Sequence, residues 1–238
     1  MQTIDIQTTV GELVKERPAR SRIFEKFKID YCCGGKIPLA EACEKRGVDA
    51  EAVLDAIAAD EGAQAGYVDA DAMSLTELAD HIVATHHNHL REELPRLDFM
   101  TRKVAAVHGD GEPRLQQIRD VFVAFQDELT HHMEKEEQVL FPMIRTIDQA
   151  ESAPDLHGGS IATPIRVMES EHDNAGNALE QFRDITDDYT PPEWACNTFR
   201  AMYNGLAELE QNMHQHVHKE NNVLFPKALT REAELSQT

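Results

Sequence analysis

Apolar residues recur at intervals of three and four along nearly the whole chain, and alternating stretches rich in Val, Ile and aromatic residues are missing. That is the period of helix rather than of strand, so the pattern predicts an all-α protein. Over the first sixty residues the pieces are short: Val10 to Lys15, Ala19 to Phe27 behind Pro18, the turn Tyr31-Cys32-Cys33-Gly34-Gly35, Pro38 to Arg46 closed by Gly47, and Asp49 to Ala59. The stretch Glu61 to Ala72 carries Gly62 and Gly66, has no apolar face and reads as a linker. A boundary near residue 66 would separate a small N-terminal helical domain, residues 1–66, from a second domain, residues 67–238.

The second domain opens on Ser74-Leu75-Thr76-Glu77, a capping-box start in which hydroxyl and carboxylate each satisfy a free amide of the first turn. Four long helical segments follow, at about 74–107, 113–148, 161–187 and 192–228, parted by the breaker-rich runs HGDGEP, SAPDLHGGS and DDYTPP. Short breaks favour antiparallel neighbours, which gives an up-down-up-down four-helix bundle.

An internal repeat changes what that bundle is for. The second segment reads His132-Met-Glu-Lys-Glu136-Glu-Gln-Val139-Leu140-Phe141-Pro142, and the fourth reads His216-Val-His-Lys-Glu220-Asn-Asn-Val223-Leu224-Phe225-Pro226. Residues four apart lie one above the other on a helix face, so each His and Glu can address one metal or two adjacent metals. One such pair is ordinary on a solvated surface; two in matched context imply halves related by an approximate two-fold axis, with paired ligands near it.

The apolar stripe selects which histidines face inward. His132 lies in line with Phe125, Leu129 and Val139, whereas His131 lines up with Ala124, Glu128 and Gln138. His216 shares a stripe with Leu209, Met213 and Val223, leaving His214 and His218 on the flanks. In the third segment Ile165, Met168, Leu179 and Phe182 place His172 inward; in the first, Val83, Leu90, Leu94 and Leu97 favour His87, while Glu93 and Arg96 spoil the stripe of His86. Burying four imidazoles and two carboxylates uncompensated would cost several kcal/mol per ion, and a cation between them removes that cost. Four His and two Glu divide into two His per ion with both carboxylates free to bridge, an open dinuclear centre. Nitrogen and oxygen ligands without thiolate, on a helical bundle, point to iron, and H-x-x-x-E stands closer to hemerythrin than to the E-x-x-H of ferritin-like proteins. Glu128, one turn before His132, and Glu171, beside His172, are expected to stand behind the ligands, where a carboxylate can orient an imidazole or relay a proton.

Composition narrows the partners. With 23 Lys+Arg against 43 Asp+Glu the net charge is −20, which repels phosphate backbones and anionic lipid, so neither nucleic acid nor membrane is expected. The start MQTIDIQTTV lacks a basic and an apolar signal region, so a cytoplasmic location is expected. The 4 cysteines are too few for a disulfide framework and are expected as thiols. Cys32 and Cys33 are adjacent; pairing would close a strained ring, so they suit two thiols or a labile bond, and either serves redox work. Amides of the helix opening near Pro38 would lower a thiol pKa. Cys43 and Cys196 fall within expected helices and read as packing.

The segments IDYCCGGK, HHMEKEEQVLFPMI, VMESEHDNAG and MHQHVHKENNVLFP closely resemble the repair-of-iron-centres family of bacterial, hemerythrin-like iron-sulfur cluster repair proteins, and the resemblance runs over essentially the whole chain. It implies two non-haem iron ions held by His87, His132, Glu136, His172, His216 and Glu220, with Glu136 and Glu220 bridging, and it matches Cys32 and Cys33 to the family's paired cysteines. It also implies repair of clusters damaged by nitric oxide or oxidants, through iron release or nitric oxide chemistry, with damaged iron-sulfur proteins as targets, nitric oxide or an oxidant as small ligand, and a homodimer allowed. The first helix departs from the family pattern, having Leu90 where a further histidine is expected and His89 one place earlier. Two rival readings follow from the same residues: a hemerythrin-like protein that binds or senses oxygen or nitric oxide without repair, and an enzyme that reduces nitric oxide.

Overall fold

The computed structural model describes residues 4–59, 68–156 and 159–237. It is built of helices throughout, with one isolated antiparallel bridge, Thr9 to Pro38, and no strand among the described residues. The helices are α1 Val10–Glu16, α2 Ser21–Lys26, α3 Leu39–Arg46, α4 Ala50–Ala59, α5 Leu75–Ile82, α6 Asn88–His108, α7 Arg114–Lys135, α8 Phe141–Gln149, α9 Ala162–Ile185, α10 Asn197–Lys219 and α11 Phe225–Leu235. Three of the junctions are π-helical turns: Val83–His87 between α5 and α6, Glu136–Leu140 between α7 and α8, and Glu220–Leu224 between α10 and α11. No described helix is long and apolar enough to cross a membrane. The boundary expected near residue 66 and most of the linker expected around it lie outside the described residues.

Backbone proximity divides the chain into two compact units, the first comprising Met1–Ala79, Ile144–Ile161 and His214–Thr238, the second Asp80–Met143 and Ala162–Met213. In the first unit, α1 to α4 close on a core of their own that includes Val10, Leu13, Phe24, Tyr31, Leu39 and Val53. The caps follow from the sequence: Thr9 and Glu12 form a capping box at α1, and Gly47 takes the left-handed conformation that ends α3. The expected box at Ser74 is also present, with the Glu77 amide donating to Ser74 Oγ at 3.1 Å and the Ser74 amide to Glu77 Oε2 at 2.9 Å. Lys227 then donates to the carbonyls of Asp71 and Met73 at 2.8 Å, tying α11 to the start of α5.

The second unit is by itself a bundle of four antiparallel segments. Asp98 meets Arg119 and Arg91 meets Glu137, so α6 and the α7 rod run in opposite senses; Phe122 meets Phe182 and His132 meets Glu171, so α7 and α9 do as well. A Cβ on Gly205 would come within 2.9 Å of Leu97, which marks the close approach of α10 to α6. Leu97, Val104, Ile118, Phe122, Phe182 and Leu206 fill the interior.

Two differences from the sequence pattern have physical causes. The fourth rod begins at Asn197 rather than near 192, because Asp187, Asp188 and Tyr189 all take positive φ and Pro191-Pro192 follow. Cys196 therefore precedes the helix and is exposed instead of packed. The second and fourth rods are not plain helices either. Pro142 and Pro226 each follow a π turn by two residues, where a ring without an N–H needs relief from the carbonyl one turn back, and the wide turn supplies it.

Candidate metal centre

In the second unit the π turn Val83–His87 delivers His87, the end of α7 delivers His132, the next π turn opens on Glu136, and the middle of α9 carries His172. All four are buried, His87 and Glu136 at 0% exposure. One oxygen of Glu136 lies 3.3 Å from His87 Nε2 and the other 3.3 Å from His132 Nε2, so the carboxylate stands between two imidazoles. His172 Nε2 is 3.1 Å from His132 Nε2, and ligand atoms of His132, Glu136 and His172 all lie within 4.8 Å of one another.

The outward nitrogens decide what the inward ones are. His87 Nδ1 is 2.6 Å from Glu137 Oε1, and Arg91 donates to both oxygens of that carboxylate at 2.7 and 2.8 Å. His132 Nδ1 is 2.9 Å from Glu171 Oε2, while Lys135 donates to Glu171 Oε1. Burial pushes the Glu137 and Glu171 carboxyls up, but His87 with Arg91, and His132 with Lys135, outweigh it and hold both below the ordinary carboxylate range. An ionised carboxylate accepts, so the proton of each ring sits on Nδ1 and the lone pair of Nε2 is turned inward. A ring in this tautomer turns its Nε2 lone pair toward a carboxylate oxygen at 3.3 Å, an arrangement that a cation between them would stabilise. The donor set fits a metal of the imidazole and carboxylate class, and carboxylate partners behind ligating imidazoles are the usual outer support of such sites.

A cavity of about 320 Å³ has His132 and His172 in its wall together with Phe125, Leu129, Lys135 and Met213. Exposed Asp127, Glu128 and His131 stand at its outer side. This is where the structure places Glu128, while Glu171 is the residue bonded to His132. Glu137 was not evident in the sequence.

In the first unit the repeat holds in three dimensions. His216, near the end of α10, and Glu220, first residue of its π turn, are both at 0% exposure with His216 Nε2 3.1 Å from Glu220 Oε1, the counterpart of His132 and Glu136. The flanking histidines serve another purpose: His214 and His218 pack edge-on against Tyr31 at 5.9 and 5.6 Å between ring centres. Burial pushes the His218 ring down to about 4, which keeps it neutral. Its Nδ1 lies 3.3 Å from the Tyr31 carbonyl, and Asn222 Nδ2 donates to the carbonyls of Tyr31 and Cys32 at 3.3 Å. The cysteine turn is thus clamped on the face of the rod that turns away from His216.

Cys32 and Cys33 are thiols, their sulfurs 3.8 Å apart. The expected lowering by helix amides does not operate on Cys32. Its bond to the Cys33 sulfur, its burial and the charge of Asp30 hold it well above the ordinary thiol range, and α3 begins only at Leu39. His86 is a second correction: it is buried, with Nδ1 3.3 Å from Asn212 Oδ1, because the π turn brings both members of the His86-His87 pair inside. His89 is exposed and Leu90 is fully buried, whereas His108 sits 3.4 Å from Cys196 beside Trp194 and Phe199.

A helical bundle with buried imidazoles arranged about a carboxylate defines a hemerythrin-like cation-binding protein. The family model described as Hemerythrin HHE cation binding domain matches residues 78–228, and one described as Domain of Unknown function (DUF542) matches residues 6–61. The Iron-sulfur cluster repair protein YtfE of Escherichia coli O17:K52:H18 (strain UMN026 / ExPEC) is 41% identical over 223 residues, covering 94% of this chain and 97% of its own. The same protein from Escherichia coli (strain K12 / DH10B) and from Shigella boydii serotype 4 (strain Sb227) matches at the same identity and coverage. The chain belongs to this family of hemerythrin-like iron-sulfur cluster repair proteins.

Proposed function

We propose that His87, His132, Glu136, His172, His216 and Glu220 together hold two iron ions, with Glu136 and Glu220 bridging, and that the protein uses them in the cytoplasm to repair iron-sulfur clusters damaged by nitric oxide or oxidants. The observation that carries this reading is Glu136, fully buried with each oxygen facing a different lone-pair nitrogen. The second H-x-x-x-E pair, equally buried and equally followed by a π turn, supports the symmetric half, and the printed name of the relatives supports the task. Iron held by such donors supplies exchangeable metal and an open position for a small ligand. The chain's own contribution is to fix and shield. Glu137 and Glu171 keep the Nδ1 protons in place, Arg91 and Lys135 anchor those carboxylates, and the cavity beside His132 and His172 has room for a diatomic ligand or an oxidant. Cys32 and Cys33 assist by thiol redox exchange or by passing iron toward damaged iron-sulfur targets.

Anaerobic purification with metal counting on wild type, Glu136→Ala and His172→Ala tests the centre. Two irons per chain in the wild type and a loss in both variants is the expected result; a full complement in Glu136→Ala would remove the basis of the proposal. Repair is read separately, as reactivation of a [4Fe–4S] enzyme inactivated by nitric oxide. Unchanged repair after Cys32→Ser with Cys33→Ser would assign the thiols no part, and no repair by the iron-loaded wild type would leave a ligand-binding protein.

A further inference from the structure

The turn Asp30 to Gly35 has more organisation than a redox pair of cysteines needs. Asp30 Oδ1 accepts from the Cys32 amide at 2.8 Å and lies 3.1 Å from Cys32 Sγ, while Oδ2 accepts from the Gly34 amide at 2.8 Å. Two amides therefore hold the carboxylate in one orientation, and each oxygen keeps a lone pair for another partner. The sulfurs of Cys32 and Cys33 stand 3.8 Å apart on the same side. That is far outside disulfide bonding, and it is the spacing a tetrahedral ion imposes on two sulfur ligands with metal to sulfur bonds of about 2.3 Å, which is about 3.8 Å. One ligand atom from each of Asp30, Cys32 and Cys33 lies within 4.8 Å of the others.

The surroundings make the arrangement rigid. A Cβ on Gly35 would sit 2.4 Å from the Tyr31 carbonyl oxygen, which only glycine allows within the turn, and one on Gly11 would come 3.0 Å from the Gly35 carbonyl oxygen and 2.6 Å from Asn222 Oδ1, so the turn lies close against α1 and the turn Glu220–Leu224. Asn222 holds the Tyr31 and Cys32 carbonyls from the other side. A site whose donors are spaced and fixed before the ion arrives loses little entropy on binding it.

We infer that Asp30, Cys32 and Cys33 form a second metal site that takes a single borderline divalent cation through two thiolates and one carboxylate, with a fourth position left open. Binding displaces the two thiol protons to solvent and changes no oxidation state. Two sulfurs and one oxygen select zinc-like or ferrous ions over magnesium and calcium. Cys33 is only half-buried, so the open position is reachable by an incoming ligand. None of these donors belongs to the H-x-x-x-E pairs, so the inference stands or falls apart from the iron centre.

Cobalt(II) is the probe, because its bonds to thiolate give a charge-transfer band in the near ultraviolet that nitrogen and oxygen ligands do not. Anaerobic titration of the full-length, iron-loaded protein is expected to raise this band to saturation at one cobalt per chain. Cys32→Ser and Cys33→Ser should each abolish it. Asp30→Asn, which keeps an acceptor for one of the two turn amides but removes the ligand charge, should weaken cobalt binding by about tenfold or more. Zinc(II) should in parallel protect Cys32 and Cys33 from alkylation while leaving Cys196 reactive, and circular dichroism separates lost binding from lost folding. Absence of the band in the wild type, or an unchanged titration in folded Asp30→Asn, overturns the site. Glu136→Ala should lose iron yet keep the cobalt band, so failure of one centre does not imitate failure of the other.

Discussion

Where a proton sits on one ring nitrogen decides what the other nitrogen can do, and at His87 and His132 that decision belongs to Glu137 and Glu171. Glu137→Gln or Glu171→Gln leaves a group that no longer holds the Nδ1 proton by charge, and iron affinity is expected to fall by about 10-fold to 100-fold, read by competition with a chelator. An equal loss in Glu128→Gln, whose side chain is exposed at the cavity rim, would argue against the bonding pattern as the cause. Glu171 was visible beforehand through its place beside His172. Glu137 was not, because nothing in the spacing of one helix reveals which carboxylate of a neighbour reaches the back of its histidine. Thiols give a second residue-scale test. Cys196 is exposed, whereas burial and then the charge of Asp49 push Cys43 up, so native protein treated with iodoacetamide should be modified at Cys196 first and at Cys43 only after unfolding. Mass spectrometry of the digests reads the order.

At the scale of the element, the π turns explain where the helical period succeeds and where it slips. Leu129, three before His132, is buried, and so are Leu209 and Met213 before His216, since they lie within regular helix. Val139, seven after His132, is 51% exposed although the period turns it inward, and Leu140 takes the buried place in the wide turn Glu136–Leu140; at the matched place in the turn Glu220–Leu224, Val223 is buried together with Leu224. His86, within the wide turn Val83–His87, is misread as well. The legible sign was proline: Pro142 and Pro226, at matched places inside long helical patterns, demand a local departure from regular hydrogen bonding, though they do not say of which kind. A pair of substitutions tests the register directly. Val139→Lys should change stability by less than about 0.5 kcal/mol, and Leu140→Ala should cost about 2 to 5 kcal/mol, both measured by denaturant unfolding. The opposite order would mean an unbroken α-helix there.

At the scale of the molecule, net charge and metal are the terms that conditions can alter. A charge of −20 on 238 residues repels itself, and that repulsion is screened as the Debye length falls to about 10 Å at 0.1 M salt. The thermal midpoint of the metal-free protein is therefore expected to rise with sodium chloride, and a midpoint independent of salt would show the charge to be balanced locally. Iron bound only by the folded state adds to stability by mass action, so chelation should lower the wild-type midpoint and leave that of Glu136→Ala where it was. The all-helical class and the bundle were readable from periodicity and breakers alone, whereas the clamping of the cysteine turn by His218 and Asn222 joins residues nearly two hundred positions apart and left no trace in local pattern. The matching irregularities at Glu136–Leu140 and Glu220–Leu224 also set the helical phase of each half. An identical extra residue at the same point of both halves means that each rod resets its helical phase at the same distance past its H-x-x-x-E histidine, so the two halves keep equivalent faces on either side of the step. The irregularity at Val83–His87 has no equivalent in the unbroken α9, so the first and third rods do not share this reset.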